Sequence, residues 1–433
     1  MKGRIDVSRL VIAWVLLVPM MFFIARGTFS FDRTAVNNTA VADQAQTANT
    51  SAGSNYYRAE QILIYLIVVV VMAGQAPAIL RSAKIHWKVF LLPTWALLST
   101  LWSQDAEKSL RLGVGTFILT LFALYFYERF SRTLQLELML FYGAIAIAIS
   151  YGLCLLFPEA GIDHVATVGA WRGMFEHKNQ CAIITTYLLI PALEVQSKNA
   201  LVTISKWTYI AAGLGLIALS QSRTGWLLVV VMICINRYLS VIRRFQRTSA
   251  ALITFVVLSI CAAIASAVIA NYQTIAPLIG KDASLTGRVQ IWSVLLHEVT
   301  KRPIIGFGYM AFFLGNKGES AQLVLVRGME TLTNAENPVL QLGLELGAVG
   351  VLIYLTLLIL SLRNMTKSIK GSNDRYYIWM STVVLLAVVE LAGASKILYP
   401  NTYEWFIFVV AFIALEDAGK RDPGYDSPDR ALL

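Results

Sequence analysis

Apolar stretches long enough to cross a bilayer recur along almost the whole of this chain, and little else can be built from them. Roughly 15 to 22 apolar residues in a helix are enough for a hydrocarbon layer about 30 Å thick. Such runs lie near residues 10–25, 61–80, 89–102, 112–127, 136–157, 180–196, 207–221, 225–242, 250–270, 338–361, 378–395 and 403–416. They predict about twelve transmembrane helices in an all-α polytopic membrane protein, since a lone segment in lipid must satisfy its own backbone. Composition excludes a soluble chain: 57% of residues are hydrophobic, 14% are charged and the mean hydropathy is +0.62, against roughly 25% charged residues in soluble domains.

The 36 Lys and Arg against 26 Asp and Glu give a net charge of +10. On a soluble chain that excess would suggest nucleic acid, but here it fits the basic residues that collect in cytoplasmic loops. With both termini inside, the inner segments hold 21 of the 36 basic residues although the outer segments are longer in total. The first run follows Lys2, Arg4 and Arg9 without a small-x-small cleavage site, so it reads as a retained span. Cys154, Cys181, Cys234 and Cys261 lie in or beside apolar runs and read as packing residues.

This frame divides the chain into residues 1–270, carrying nine spans with outer loops at 27–58 and 158–179, a large outer loop at 271–337, three spans over 338–416, and an inner tail at 417–433. The first loop is rich in Ala, Thr, Asn and Ser and reads as flexible. The large loop holds SLTGRVQIWSVLLHEVTKR, in which Ile291, Trp292, Leu295 and Val299 recur at helical spacing. That pattern predicts an amphipathic helix on the outer membrane face, capped by Ser284 or Thr286 and ended by Pro303 and the Gly306/Gly308 turn.

Polar residues gather in four clusters on the outer side: Arg172 with Glu176, His177, Lys178 and Asn179; Ser222, Arg223 and Thr224; Thr286, Gly287 and Arg288; and Asn334, Glu336 and Asn337. Arg223 alone could snorkel to headgroups. Arg288 near a helix N-terminus suits a phosphate, because amide N–H groups, the dipole and a guanidinium act together. Glu336 reads either as a capping carboxylate or as a base, and His177 as an interfacial polar residue or a rival base. No zinc pattern, DxD pair, P-loop or GxGxxG is present in the sequence.

LLSTLWSQDAEKSLRLG, WRGMFEHKNQCA, LSQSRTGWL, TGRVQIWSVLLHEVTKRPIIGFGYMAF and NAENPVLQLGLELGAVG resemble, in this order, the O-antigen ligase/polymerase (Wzy-type) family of bacterial envelope proteins. The loop with Phe175, His177, Lys178 and Asn179 is most similar to the exopolysaccharide-polymerase branch. The resemblance implies a metal-independent, cofactor-free inverting glycosyltransferase of GT-C-like architecture in the bacterial inner membrane. Its donor would be an undecaprenyl-diphosphate-linked oligosaccharide taken from the periplasmic face, with membrane lipids around it and a chain-length regulator or export proteins as partners. Arg223 and Arg288 would grip the donor diphosphate, and Arg172, Lys178, Asn179 and Asn337 would contact substrate. Glu336 stands where many family members have a His proposed as the base, a departure from the family's pattern; His177 is the alternative base.

Two other readings compete. A ligase would pass a finished glycan to lipid A core or another acceptor. A lipid-linked-oligosaccharide flippase or other transporter would carry ionisable residues and broken helices near the membrane midplane, whereas these apolar runs are nearly free of charge at their centres.

Overall fold

A computed structural model describes residues 7–26, 51–164, 167–242, 285–315, 317–321, 323, 334–335, 337–370, 377–391 and 398–420. The described chain is mostly helical. The first half contains α1 (Val7–Ile24), α2 (Ser51–Ala73), α3 (Ala76–Ile85), α4 (Leu91–Leu98), α5 (Ala106–Arg129) and α6 (Arg132–Leu156). A two-stranded antiparallel ribbon, β1 (Ile162–Asp163) with β2 (Ala170–Trp171), pairs Ile162 with Trp171 and Asp163 with Ala170. Then follow α7 (Lys178–Glu194), α8 (Ala200–Leu219), α9 (Arg223–Ile242), α10 (Leu285–Lys301), α11 (Pro338–Lys370), α12 (Tyr377–Leu391) and α13 (Tyr403–Lys420).

The expected count of about twelve spans does not hold. Among the described residues five helices are long and apolar enough to cross a membrane, namely α5, α6, α8, α9 and α11, or six if α2 and α3, bent by 94°, count as one. The run at 250–270 lies outside the described residues. Other runs belong to shorter helical stretches, Val11–Ile24, Trp87–Leu101 and Ile378–Val389. In two more the apolar character has another cause, because a helix apolar on every side can be enclosed by protein rather than by lipid. Every side chain from Tyr403 to Glu416 in α13 is at most 3% exposed, and α7, only 17 residues long, is buried from Gln180 to Ala192. The described arrangement also gives no support to the expected GT-C-like architecture.

Two ends of the bundle can be told apart by their polar contacts. At one end Ser82 donates to Glu128 at 2.7 Å, His86 bonds Glu416 at 2.8 Å, Lys88 pairs with Glu416, and Tyr127 donates to Asp417 at 3.0 Å. Arg132 pairs there with Glu194, whose other oxygen accepts the Ile378 amide at 2.9 Å. At the opposite end Arg26 pairs with Glu404, and Tyr65 donates to Asn401 at 2.7 Å.

Helix α11 is interrupted at Gly347, whose φ of 66° and ψ of −167° are open to glycine and costly to other residues. The segment after α10 fills the gap with its backbone. The amides of Phe307 and Gly308 donate to the carbonyls of Leu344 and Glu345 at 2.8 and 2.9 Å, and the amides of Ala348 and Val349 donate to the carbonyls of Pro303 and Ile304 at 2.8 and 3.2 Å. The Trp95 indole takes the Leu346 carbonyl at 3.1 Å.

That plug turns α10 onto protein. Val294 and Leu295 join Phe307, Phe312, Leu323, Ala335 and Leu344 in a small separate core, so the apolar face expected on the membrane is spent on α11 and the following loop. Cys154 and Cys181 are buried, Cys234 is exposed on α9, and Cys261 lies outside the described residues.

The fit at the break makes a measurable demand. A Cβ on Gly306 would stand 2.5 Å from the Glu345 carbonyl, at a φ of 69°, whereas one on Gly152 would meet nothing within 4 Å. Gly306→Ala is expected to destabilise the detergent-solubilised protein by about 2 kcal/mol or more, and Gly152→Ala in α6 to leave its melting temperature unchanged or raised. Equal melting temperatures for the two variants would rule out a tight junction at Gly306.

Candidate functional site

Three of the helices that begin at the end of the bundle opposite the His86–Glu416 contacts are each capped by a side chain from one of the polar clusters. His177 Nδ1 accepts the Asn179 amide at 3.2 Å and starts α7, Ser222 Oγ accepts the Gly225 amide at 3.2 Å and starts α9, and Asn337 Oδ1 accepts the Leu340 amide at 3.0 Å and starts α11. Capping satisfies one of the orphan N–H groups and leaves a partial positive charge at each terminus. Residues of three predicted clusters therefore belong to helix starts. Asn337 itself caps α11, a role the sequence also offers to Glu336. Glu336 lies outside the described residues.

The described hydrogen bonds join the clusters in two pairs. Ser222 Oγ donates to Asn179 Oδ1 at 2.8 Å, which ties the start of α7 to the start of α9 and sets Lys178 and Asn179 beside the turn that carries Arg223. Arg223 is exposed, as is His177, while Lys178 and Asn179 are half-buried. In the second pair the Trp292 indole donates to the Ala335 carbonyl at 3.1 Å, which joins α10 to the start of α11. Arg288 lies one helical turn before Trp292 on α10; its side chain is outside what is described. The described contacts do not bring Arg223 and Arg288 to a common point.

Arg172 is placed differently from the other candidates. It is buried, its Nε donates to the Ala160 carbonyl at 3.2 Å, and its Nη2 reaches the Glu159 carbonyl at 3.5 Å. Burial pulls its pKa below the usual arginine range, and the nearby Asp163 opposes the shift. The guanidinium thus holds together its own loop. Gly173 continues that packing: at a φ of 58° a Cβ would collide with Ser150 at 2.5 Å.

Sequence reasoning missed Gln341 and Glu345. Ala335 donates its amide to Gln341 Oε1 at 2.8 Å, and Gln341 Nε2 donates to Glu345 Oε1. A signal was available, since two polar residues four apart on an otherwise apolar helix lie on one face. Among the described residues no group of three or more His, Cys, Asp or Glu side chains could hold a metal ion.

Comparison with known proteins bears on this end of the bundle. The sequence profile of the O-antigen ligase family matches residues 208–355, which run from α8 through the first part of α11. The chain is also similar to the exopolysaccharide production protein ExoQ of Rhizobium meliloti (strain 1021), at 25% identity over 301 residues. That match covers 66% of each chain, so the similarity spans just under two thirds of the relative's length. About a third of the chain thus resembles the O-antigen ligase family. Within the Wzy-type profile lie the Arg223 turn, α10 with its Trp292 contact, and the Asn337 cap; the His177 loop precedes it.

The Asn179–Ser222 bond ties the cap of α9 to the first turn of α7, so removing either partner should also loosen the other. Ser222→Ala is expected to lower stability by about 1 kcal/mol through the lost cap. In a double-mutant cycle Asn179→Ala and Ser222→Ala should show a coupling of about 0.5–1.5 kcal/mol in thermal denaturation of the purified protein. Strict additivity would sever the α7–α9 link.

Proposed function

We propose that this protein is a periplasmic-face glycosyltransferase of the bacterial inner membrane that polymerises undecaprenyl-diphosphate-linked oligosaccharide repeat units into exopolysaccharide or O-antigen. The observation that carries the reading is the Asn179–Ser222 bond, which makes neighbours of two motifs 43 residues apart at an end of the bundle rich in helix N-termini. Such an end attracts anions. The relative's printed role in exopolysaccharide production supports the product class.

In the proposed reaction the acceptor hydroxyl loses its proton to Glu336 while its oxygen attacks the anomeric carbon of the donor. The bond from that carbon to the phosphate oxygen breaks, and undecaprenyl diphosphate leaves with the electron pair. Arg223 and Arg288 take up the charge developing on the leaving group, the electrostatic work that a metal does elsewhere. Lys178, Asn179 and Asn337 orient the sugars, and His177 is the rival base. A ligase acting on lipid A core or another acceptor is the second reading, favoured by the description of the matching family. A deletion strain that makes only single repeats marks a polymerase; one that accumulates long unattached chains marks a ligase.

Three results test the proposal. Arg223→Ala and Arg288→Ala should each cost on the order of 10²-fold in polymer formation, with Arg→Lys a partial rescue because a point charge lacks bidentate contact; wild-type yield from both alanine variants refutes diphosphate binding. Glu336→Gln should abolish turnover with donor binding retained, and Glu336→His should keep measurable activity; normal polymer from Glu336→Gln with a dead His177→Gln transfers the base role to His177. Lys317, exposed on the segment after α10, should be labelled as Lys317→Cys in a cysteine-free protein by a membrane-impermeant reagent in intact spheroplasts. Labelling only after lysis reverses the orientation.

A further inference from the structure

The start of α11 is held by a relay that runs into the interior. Ala335 is fully buried, with its carbonyl on the Trp292 indole and its amide on Gln341 Oε1 at 2.8 Å. Gln341 Nε2 in turn donates to Glu345, one turn further along the same helix and 4% exposed. The Glu345 carboxylate also receives the amide of Met310, in the segment that plugs the Gly347 break, and lies within electrostatic reach of Lys108 on α5. From the plug to the Ala335–Asn337 motif there is thus one continuous line of hydrogen bonds.

A carboxylate inside an apolar helix is a poor device for stability alone. Burying it costs free energy that replacing the whole set of partners by apolar groups would avoid. What the Glu345 contact supplies is direction, because its Oε1 accepts from Gln341 Nε2. An amide side chain offers both an acceptor and donors and can sit either way round. Opposite Glu345, Gln341 must turn Nε2 inward, and Oε1 is then left facing the Ala335 amide.

We propose that Glu345, acting through Gln341, is a positioning residue that fixes the Ala335–Asn337 motif against α10. The proposal rests on the glycosyltransferase reading above for its effect on turnover, and on geometry alone for its effect on the motif. Both residues should therefore influence the chemical step without touching substrate. Glu345→Gln should be milder than Glu345→Leu, because a glutamine still accepts from Gln341 but no longer forces its orientation.

The test uses the full chain purified in detergent. Gln341→Leu and Glu345→Leu each leave buried partners unpaired and are expected to lower the melting temperature modestly, while lowering kcat about tenfold in the still-folded protein, with the donor KM changed by less than about threefold. Glu345→Gln should recover part of the loss. Ala335→Cys in a cysteine-free background gives a readout free of turnover: maleimide labelling, slow at this buried position, should quicken at least tenfold when either leucine substitution is added. Unchanged labelling in the folded double variants overturns the proposal, as does wild-type kcat in the leucine variants of an enzyme that needs Glu336. If a leucine variant fails to fold, Glu345→Gln with Ala335→Cys decides by the same labelling measurement. Faster labelling combined with normal turnover of Glu336→Gln upholds the relay and removes the base assignment instead.

Discussion

The interrupted helix at Gly347 governs the arrangement of everything around the candidate site. A break in a transmembrane helix exposes carbonyls on one side and amides on the other, and lipid has nothing to offer either. Here the 303–308 backbone supplies four hydrogen bonds and the Trp95 indole a fifth. The segment from α10 to residue 309 is therefore committed to one position, since withdrawing it would leave those groups bare in an apolar surrounding. Tyr309, fully buried at the end of this segment, continues the commitment by bonding Ser99, Ser109 and Thr116.

That commitment explains how a surface element acquires a fixed relation to the bundle. An amphipathic helix resting on lipid would place Arg288 loosely, to within the thickness of the headgroup layer. With its apolar face in a protein core and its Trp292 on the Ala335 carbonyl, α10 is instead registered against the start of α11. The α7 and α9 starts form a second registered pair through Asn179 and Ser222. Each pair couples a helix N-terminus to a segment bearing arginine, so the charge arrangement proposed for diphosphate binding is a property of how helices begin.

Much of this was legible in the sequence, and the rest was hidden for identifiable reasons. Helical spans, the amphipathic stretch from Leu285 to Lys301 and its end before Pro303 follow from periodicity and Pro/Gly punctuation. The polar clusters announced helix starts because His, Ser and Asn sit where caps belong. Hydropathy could not tell α8, which shows much of its surface to its surroundings, from α13, which shows almost none, since both are apolar and of similar length. Arg172 resembled its neighbours in sequence, and only the loop's folding back reveals that Ala160 and Glu159 take its guanidinium. Gly347 lies in ELGAVG, where the apolar pattern runs on through the break; what makes a break tolerable there is a segment some forty residues earlier.

The filled break also bears on the choice between the proposed enzyme and a transporter. Transporters use discontinuous helices because the freed carbonyls and amides can bind an ion or substrate and release it again. At Gly347 the carbonyls of residues 344–346 and the amides of residues 348 and 349 are already bonded within the protein. A cargo would have to displace these bonds, each worth far more in an apolar setting than in water. The same bonds give the start of α11 a rigid base. A rigid base suits chemistry in which donor diphosphate and acceptor hydroxyl must be held at a fixed separation, where a displacement on the order of 1 Å costs about a hundredfold in rate.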